Sequence, residues 1–498
     1  MFFFNKAFKN RAVAFILALV LPWINMQTMR IWRGHMNLSV SLFIPLAFLL
    51  LYYWHRHHKD RKKFAWIVAA MICLNLVAFF THGYYIAIIG VFQSVMLFFY
   101  GLYQWKEKYT LRKSVIFSLA VPALSLGIIF SILSLTDGFF HERSAGTGGY
   151  DWMEHKVRFW GLISHNWVQK SIRFPIRFLK GSNDPENTGY LGNMGLYAAL
   201  FVSILCIASL KYRTIIKDIQ KQFFRHAFFA PAFLGSLLML IISFGEDYYT
   251  NGFEGFVVYN YLNPFLYLHK LTKGVEQFRS LGRFAWPFFW GYYIWVTYTL
   301  LHLIPYFSRQ IKRVVVVAMV ILGGFEVKDY VEATQGMASN VNYLNPSIFP
   351  SFGKLKIDYK KYQAILSIPY YNVGAENIEW IIDDFEKNSR QSFQLSLFSS
   401  LPLMNVKLSR TILPQAQQLG NLVSKDSLSS ELRQKLNDKP VLVMYDKAFV
   451  KDSSLQSIPR DERSREIYWR TTELVARHHL QPIDSMGTLY FYEWFPKK

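Results

Sequence analysis

Two arginines stand immediately before a long apolar run, and their side chains are suited to holding a phosphate group. Arg279 and Arg283 occur in "VEQFRSLGRFAWPFFWGYYIWV", where the uncharged run starts at Phe284. A spacing of four residues places two side chains on one face of a helix. A planar guanidinium binds phosphate oxygens in a bidentate manner. We therefore predict that Arg279 and Arg283 bind a ligand phosphate; the alternative is that they snorkel or pair with acids such as Glu276.

A second basic and aromatic cluster lies near the N-terminus, between the first two apolar runs of the chain. The segment "MRIWRGHMNLS" carries Arg30, Arg33 and His35, and the later segment "THGYY" carries His82 and Tyr84. Arg33 and His35 are predicted to assist in phosphate binding. The alternative is that the cluster anchors the chain among lipid headgroups, because interfacial belts use the same residue types. We expect the three segments to converge at one depth on a shared anionic site.

Carboxylates that could serve as a catalytic base or contact a metal ion are found in the two long links between apolar runs. Adjacent Glu246 and Asp247 immediately follow a run, so they are the candidates for a base or a metal contact. The sequence leaves the cofactor open, a divalent metal ion being one option. The other acids of these links fit solvated or salt-bridged groups: Asp137, Glu142, Asp151, Glu154, Asp184, Glu186, Glu254 and Glu276.

The elements that must position these residues are long apolar runs. The chain is 52% hydrophobic and only 18% charged, and its first 325 residues repeat uncharged runs of the length that crosses a bilayer as a helix. Nine spans are predicted, at 12–29, 36–54, 64–80, 83–105, 114–135, 191–210, 226–245, 284–305 and 314–325. The last run, "VVVVAMVILGGF", is short, so a buried strand or a re-entrant piece is its alternative.

The charges indicate which ends of these spans face the cytoplasm. With the N-terminus inside, the inner segments hold 20 Lys and Arg residues against three acids, whereas the outer loops hold 13 against ten. This asymmetry is the positive-inside pattern, and a nucleic-acid-binding surface would need no such alternation. The net charge of +22 therefore predicts a topology rather than a nucleic-acid partner. It places loops 136–190 and 246–283, and everything after the ninth span, outside the cytoplasm.

Residues 326–498 have the composition of a soluble domain. The runs "YQAILSIPYY", "KPVLVMYD" and "GTLYFYEWF" predict strands, and "NIEWIIDDFEKNSR" and "REIYWRTTELVARHH" predict helices between them. Alternating strands and helices indicate a small α/β domain. It contains no glycine-rich phosphate loop, zinc-type Cys/His spacing or nucleophile elbow, so a binding or capping role is expected. The predicted fold class is a multi-pass α-helical membrane protein with a C-terminal extracytoplasmic α/β domain.

Several segments, in order along the chain, resemble landmarks of bacterial multi-span membrane glycosyltransferases of the GT-C superfamily. They are "MRIWRGHMNLSVSLFIPLAFLLLYYW", "THGYY", "ENTGYLG" and "FRSLGRFAW", with "SIPYYNVGAENIEW" and "LPLMNVKLSRT" in the C-terminal domain. The likeness is to large uncharacterised proteins of Bacteroidetes-like bacteria. It implies transfer of a sugar from a polyprenyl-phosphate donor at the outer face of the inner membrane. In that pattern Arg279 and Arg283 hold the donor phosphate.

One part of the pattern is missing. Such enzymes carry an acidic residue in the first outer loop, but "INMQTMRIWRGHMN" contains no Asp or Glu, and relatives carry additional spans before this segment. We therefore interpret the chain as a truncated or wrongly started enzyme, or as a non-catalytic relative. The alternative function is an envelope protein that presents its C-terminal domain to a partner. A transporter would be expected to carry charges in mid-span, and the predicted spans have almost none.

Overall fold

The computed structural model describes residues 1–33, 35–142, 155–165, 171, 188–248, 258–272, 278, 280–338, 349–384, 386–425, 430–450 and 461–496. The chain forms two compact units. The first comprises Met1–Thr136 and Trp152–Ala338, and the second comprises Asp137–Asp151 and Ser339–Lys498.

The first unit is built mainly from α-helices. Its helices are α1 (Phe2–Phe8), α2 (Arg11–Ile24), α3 (Phe43–His57), α4 (Arg61–Thr81), α5 (Tyr84–Tyr103), α6 (Lys108–Thr136), α7 (Asn193–Ala208), α8 (Leu210–Arg225), α9 (Phe229–Ser243), α10 (Pro264–Leu271), α11 (Trp286–Leu303) and α12 (Arg309–Ala338). Two short strands, β1 (Asp247–Tyr248) and β2 (Val258–Tyr259), pair antiparallel. In the part of the 136–190 loop that belongs to this unit, a 3₁₀ turn is described at Phe159–Leu162.

Each of the nine predicted runs overlaps a helix, but fewer than nine helices meet the requirements of a membrane span. Among the described residues, four are long and apolar enough: Arg11–Ile31, Arg61–Thr81, Tyr84–Tyr103 and Lys108–Thr136. The bent pair α8 and α9 makes a fifth if it is counted as one span. Helices α3, α7 and α9 have only 15 or 16 residues, and about 20 are needed to cross 30 Å of hydrocarbon.

The run 314–325 is part of a helix, so the alternative of a buried strand was wrong. Helix α12 has 30 residues and continues without a break through "EVKDYVEATQGMA". The predicted boundary at residue 325 falls inside this helix, and the first compact unit extends to Ala338. Two carboxylates that follow the boundary, Glu326 and Asp329, are therefore buried within the helical unit.

Small residues allow α9 and α11 to approach closely. Gly291 of α11 faces Ser236 of α9, and a Cβ atom added at Gly291 would lie 2.7 Å from the Ser236 Cβ. At the adjacent position of α9, a Cβ added at Gly235 would lie 3.3 Å from the Met96 backbone of α5. Because backbones this close leave no room for side chains, the α5–α9–α11 packing depends on these positions.

We expect Gly291→Ala to destabilise the first unit. Overpacking of a tight contact costs about 1–3 kcal/mol, which outweighs the gain of up to about 1 kcal/mol from helix propensity. The matched control is Gly127→Ala in α6, where nothing lies within 4 Å of the new Cβ. The thermal unfolding midpoint of the purified chain should fall for Gly291→Ala and stay level or rise for Gly127→Ala. Equal midpoints for the two variants would contradict the packing argument.

The second unit contains a mixed four-stranded sheet. The unit as a whole has six strands among its described residues: β3 (Ala364–Ile368), β4 (Asn372–Ala375), β5 (Val406–Thr411), β6 (Val441–Asp446), β7 (Pro482–Met486) and β8 (Leu489–Trp494). The sheet has the order β3-β6-β8-β7; β3 and β6 run parallel, β8 runs antiparallel to both β6 and β7, and β4 pairs separately with β5. Its helices are α13 (Phe349–Gly353), α14 (Glu386–Ser399), α15 (Leu413–Ser424), α16 (Ser430–Lys435), α17 (Lys447–Val450), α18 (Glu462–Thr472) and α19 (Leu474–Arg477).

The three predicted strands of this unit are confirmed as β3, β6 and β8, and "REIYWRTTELVARHH" is helical in α18 and α19. The prediction for "NIEWIIDDFEKNSR" was wrong in its first half. A 3₁₀ turn covers Ile378–Trp380, and Ile382 then pairs with Asn372 in a β-bridge. Ile381 and Ile382 are buried side by side, so tertiary pairing replaces the amphipathic helix that the local pattern favoured.

Candidate functional site

Arg283 lies in the buried chain segment that leads into α11. A 3₁₀ turn, Leu281–Ala285, precedes the helix, and every residue of the turn is buried. The turn is fixed by a hydrogen bond from the Gly282 N–H to the His155 carbonyl (2.9 Å). The Arg283 guanidinium carbon lies 4.1 Å from the centre of the Tyr84 ring, and the residue is only 7% exposed. This cation–π contact orients the arginine inward.

The structure does not describe a shared helical face for the two arginines. Ser280 is not helical (φ −119°, ψ 78°), and the 3₁₀ turn begins at Leu281. The i, i+4 argument requires continuous helix on both sides of a pair, so it does not apply across this boundary. Arg279 itself lies outside the described residues.

The first basic link contributes a buried arginine to the same region. Residues Thr28–Arg33 form a 3₁₀ helix after α2, and within it Arg30 is 1% exposed. Its guanidinium carbon lies 5.6 Å from the centre of the Trp286 ring, at the start of α11. The side chain of Arg33, the residue singled out from the sequence, is outside what the structure describes. His35 follows the 3₁₀ helix and is exposed.

Tyr84 and Tyr85, at the start of α5, join the two arginine-bearing links. The Tyr84 hydroxyl accepts a hydrogen bond from the Ser280 N–H (3.3 Å). The Tyr85 hydroxyl accepts from Gln27 Nε2 (2.7 Å) and donates to the Leu38 carbonyl (2.8 Å). Both Arg30 and Arg283 lie close enough to act electrostatically on this hydroxyl.

The three links do contact one another, but the anionic site predicted for them stays a prediction. The contacts join the link after α2, the start of α5 and the turn before α11. Arg30 and Arg283 are the buried cations of this arginine–aromatic cluster, which we define as Arg30, Tyr84, Tyr85, Arg283 and Trp286. Two guanidiniums held by aromatic faces form a cationic region suited to a phosphate or another anion.

The candidate acids Glu246 and Asp247 lie in a separate polar group after α9. His269 Nδ1 of α10 lies 3.3 Å from Glu246 Oε1, and Lys156 forms an ion pair with Asp247. Burial raises the pKa of the Glu246 carboxyl, and the nearby His269 opposes this effect. The Asn260 side chain adds hydrogen bonds to the carbonyls of Ile241 (2.8 Å) and Gly245 (2.9 Å). These pairings tie together segments 155–157, 246–248 and 258–272.

No described group of three or more His, Cys, Asp and Glu side chains could hold a metal ion. Of the other acids considered from the sequence, Asp137 and Glu142 are described, and the latter ends a 3₁₀ turn. The rest lie outside the described residues: Asp151, Glu154, Asp184, Glu186, Glu254 and Glu276.

Sequence reasoning missed two buried carboxylates on α12. Glu326 accepts hydrogen bonds from the N–H groups of Asn193 (2.7 Å) and Met194 (3.1 Å), which begin α7. Asp329 accepts from the Ser171 N–H (2.8 Å) and also from the Ser171 hydroxyl. The signal was present in the sequence, because residues 326–335 contain neither Gly nor Pro, and i and i+3 positions share one face of a helix.

The family described as "Domain of unknown function (DUF6311)" matches residues 1–328, well over half of the chain. The chain belongs to this family. No curated protein and no solved structure matches it.

The DUF6311 match and the helical unit cover nearly the same stretch of chain. The arginine–aromatic cluster, the Glu246–His269 pair and Glu326 all lie within residues 1–328, and Asp329 follows the match directly. The α/β unit lies beyond it. The candidate site is therefore part of the region by which the DUF6311 family is recognised.

Proposed function

We propose that this DUF6311 protein is a membrane protein of the GT-C glycosyltransferase type that binds a polyprenyl-phosphate-linked sugar. One observation carries the proposal: three separate links bring Arg30 and Arg283 together, each against an aromatic ring, beside Tyr85. Arginine forks recognise phosphate oxygens, and the contact is strengthened where water is excluded. The resemblance of "MRIWRGHMNLS" and "FRSLGRFAW" to segments of those enzymes supports a lipid-linked phosphate as the ligand.

The proposal includes a location and a topology. The protein resides in the bacterial inner membrane with its N-terminus in the cytoplasm, and the arginine–aromatic cluster lies toward the outer face. The excess of lysine and arginine in alternate links supports this orientation. An α/β unit outside the cytoplasm completes the topology that we propose.

A second function, binding without catalysis, is favoured by the acids after α9. Glu246 pairs with His269, and Asp247 forms an ion pair with Lys156. The Lys156 ammonium also donates a hydrogen bond to the Asp247 backbone carbonyl. A general base must reach the proton that it removes. A protein that holds the lipid-linked sugar, or presents its C-terminal unit to a partner, requires no such base.

The two functions are separated by measuring binding and transfer on the same purified chain. In nanodiscs, we expect saturable binding of a labelled polyprenyl-phosphate sugar that polyprenyl phosphate displaces and neutral polyprenol does not. Transfer to water or to an added acceptor is expected to be slow, because the candidate base is engaged. Rapid turnover by the chain alone would favour the enzyme and direct attention to Glu246. Absence of saturable binding would refute the enzyme and the sugar-holding protein alike, and would leave presentation of the C-terminal unit to a partner.

A further inference from the structure

Helix α8 presents a strongly basic face that the proposed function does not use. Its sequence, "LKYRTIIKDIQKQFFR", carries five cations and one acid, Asp218. All five cations are exposed: Lys211, Arg213, Lys217, Lys221 and Arg225. We call this set the α8 basic face. Six charged residues in 16 make the interior of a bilayer an unfavourable place for this helix.

The opposite side of α8 is fixed within the protein. Ile216, Ile219 and Phe223 are buried, and the Phe223 ring stacks on Phe229 with centroids 5.6 Å apart. Gln220 joins the helix to α11 by accepting from Trp295 Nε1 (2.7 Å) and donating to the Thr299 hydroxyl (3.0 Å). Since the apolar side is already covered by protein, the helix cannot use it to enter lipid, and its basic face stays outward.

The direction of α8 agrees with a position along a membrane surface. The axes of α8 and α9 differ by 86° across a break of three residues. Helix α7 leads into α8 through the single residue Ser209. When an apolar helix enters a membrane and a charged helix beside it is bent by nearly a right angle, the charged helix lies along the membrane surface.

The same end of the unit carries exposed aromatic side chains of the kind found at membrane interfaces. The Tyr103 hydroxyl donates to the Phe224 carbonyl (3.0 Å), so the end of α8 contacts the end of α5. Just beyond α5, Trp105 is 64% exposed and Tyr109 is 62% exposed. Trp66, near the start of α4, is 77% exposed. Trp and Tyr concentrate at the depth of lipid headgroups, where one part of the ring system is apolar and another is wet.

We propose that the α8 basic face binds the headgroups of anionic phospholipids in the leaflet at this end of the protein. The charges are complementary, and long Lys and Arg side chains can reach phosphates while their stems cover apolar surface. The flanking Trp and Tyr residues place the face at headgroup depth, which favours lipid over a nucleic acid or an acidic protein as the occupant. The inference rests on the proposed membrane location but not on the lipid-linked sugar, because it concerns the opposite ends of the apolar helices from the arginine–aromatic cluster.

The test compares the thermal midpoint of the full chain in detergent with added phosphatidylglycerol or phosphatidylcholine. Phosphatidylglycerol should raise the wild-type midpoint above the phosphatidylcholine value by about 2–4 °C or more, and added salt should remove the difference. The variant Lys211→Gln, Arg213→Gln, Lys217→Gln, Lys221→Gln and Arg225→Gln should lose most of that increment. Its midpoint in phosphatidylcholine should stay close to wild type, because all five side chains are exposed.

Two further variants make the outcome decisive. In the first, each Lys of the α8 basic face is replaced by Arg and each Arg by Lys. The charge is unchanged, so the rise in midpoint with phosphatidylglycerol should be kept, since headgroup attraction depends mainly on charge. In the second, five exposed cations of the α/β unit are replaced by Gln: Lys354, Lys356, Lys360, Lys361 and Arg433. This makes the same change in net charge as the α8 variant, and the rise in midpoint should again be kept. The proposal is overturned if the α8 variant retains the full increment, or if the α/β variant loses as much as the α8 variant.

Discussion

Glu326→Ala is expected to lower the stability of the helical unit more than any other substitution considered above. The carboxylate is 1% exposed and accepts from two backbone N–H groups at the start of α7. The residue before α7 is Gly192, which has a positive φ of 81° and no side chain with which to cap the helix. Glu326 therefore replaces the missing cap from another helix and also neutralises the positive end of the α7 dipole.

The size of the effect follows from the groups left without a partner. A buried donor that loses its acceptor costs about 1–3 kcal/mol, so two backbone donors give roughly 2–6 kcal/mol. The Tyr190 side chain, which also hydrogen-bonds to the Glu326 carboxyl, adds to this cost. Glu326→Gln keeps one side-chain oxygen but turns an NH₂ group toward N–H donors, and its cost should be intermediate.

The matched control is Glu332→Ala on the same helix. Glu332 is exposed and pairs with Lys328 at 3.6 Å, a surface contact worth about 0–1 kcal/mol. Thermal or denaturant unfolding of the purified chain in detergent gives the comparison. If Glu326→Ala unfolds at the same midpoint as Glu332→Ala, the carboxylate does not cap α7 in the way that the hydrogen bonds indicate.

Arg283→Ala is expected to weaken binding of a labelled polyprenyl-phosphate sugar by roughly tenfold to a hundredfold. A charge-assisted contact to phosphate contributes about 1.5–3 kcal/mol, and each 1.4 kcal/mol is a factor of ten in affinity. Arg283→Lys should recover only part of the affinity, because an ammonium keeps the charge but loses the bidentate fork. Arg279→Ala and Arg30→Lys complete the series in nanodiscs.

A structural role for Arg283 would give a different result, and the series distinguishes the two. If the arginine only packs on Tyr84, its alanine variant should lower the thermal midpoint and leave affinity unchanged in the folded fraction. The control for charge alone is Lys270→Ala, since Lys270 is an exposed cation of α10 and should have no effect on affinity. Unchanged affinity in both Arg279→Ala and Arg283→Ala would remove the main support for a phosphate site.

The amino-acid sequence by itself determined where the apolar helices are and which end of each carries positive charge. Both properties are local: an uninterrupted apolar run has no way to satisfy its backbone in lipid except as a helix. It also determined strands β3, β6 and β8, whose β-branched and aromatic runs are bounded by turn residues. The convergence of Arg30, Tyr84 and Arg283 could be predicted because each ends or begins an apolar run, and such ends meet at common depths.

Only the tertiary structure decided which of these side chains are enclosed and what they contact. Arg30 and Arg33 are three residues apart in one short link, and nothing local indicates that Arg30 packs under Trp286. The pairing of Glu326 with the start of α7 joins residues more than 130 positions apart, across the boundary at which composition changes. Helix α12 continues past that boundary because a helix is extended by its own backbone hydrogen bonds, whereas burial depends on the neighbours that pack around it.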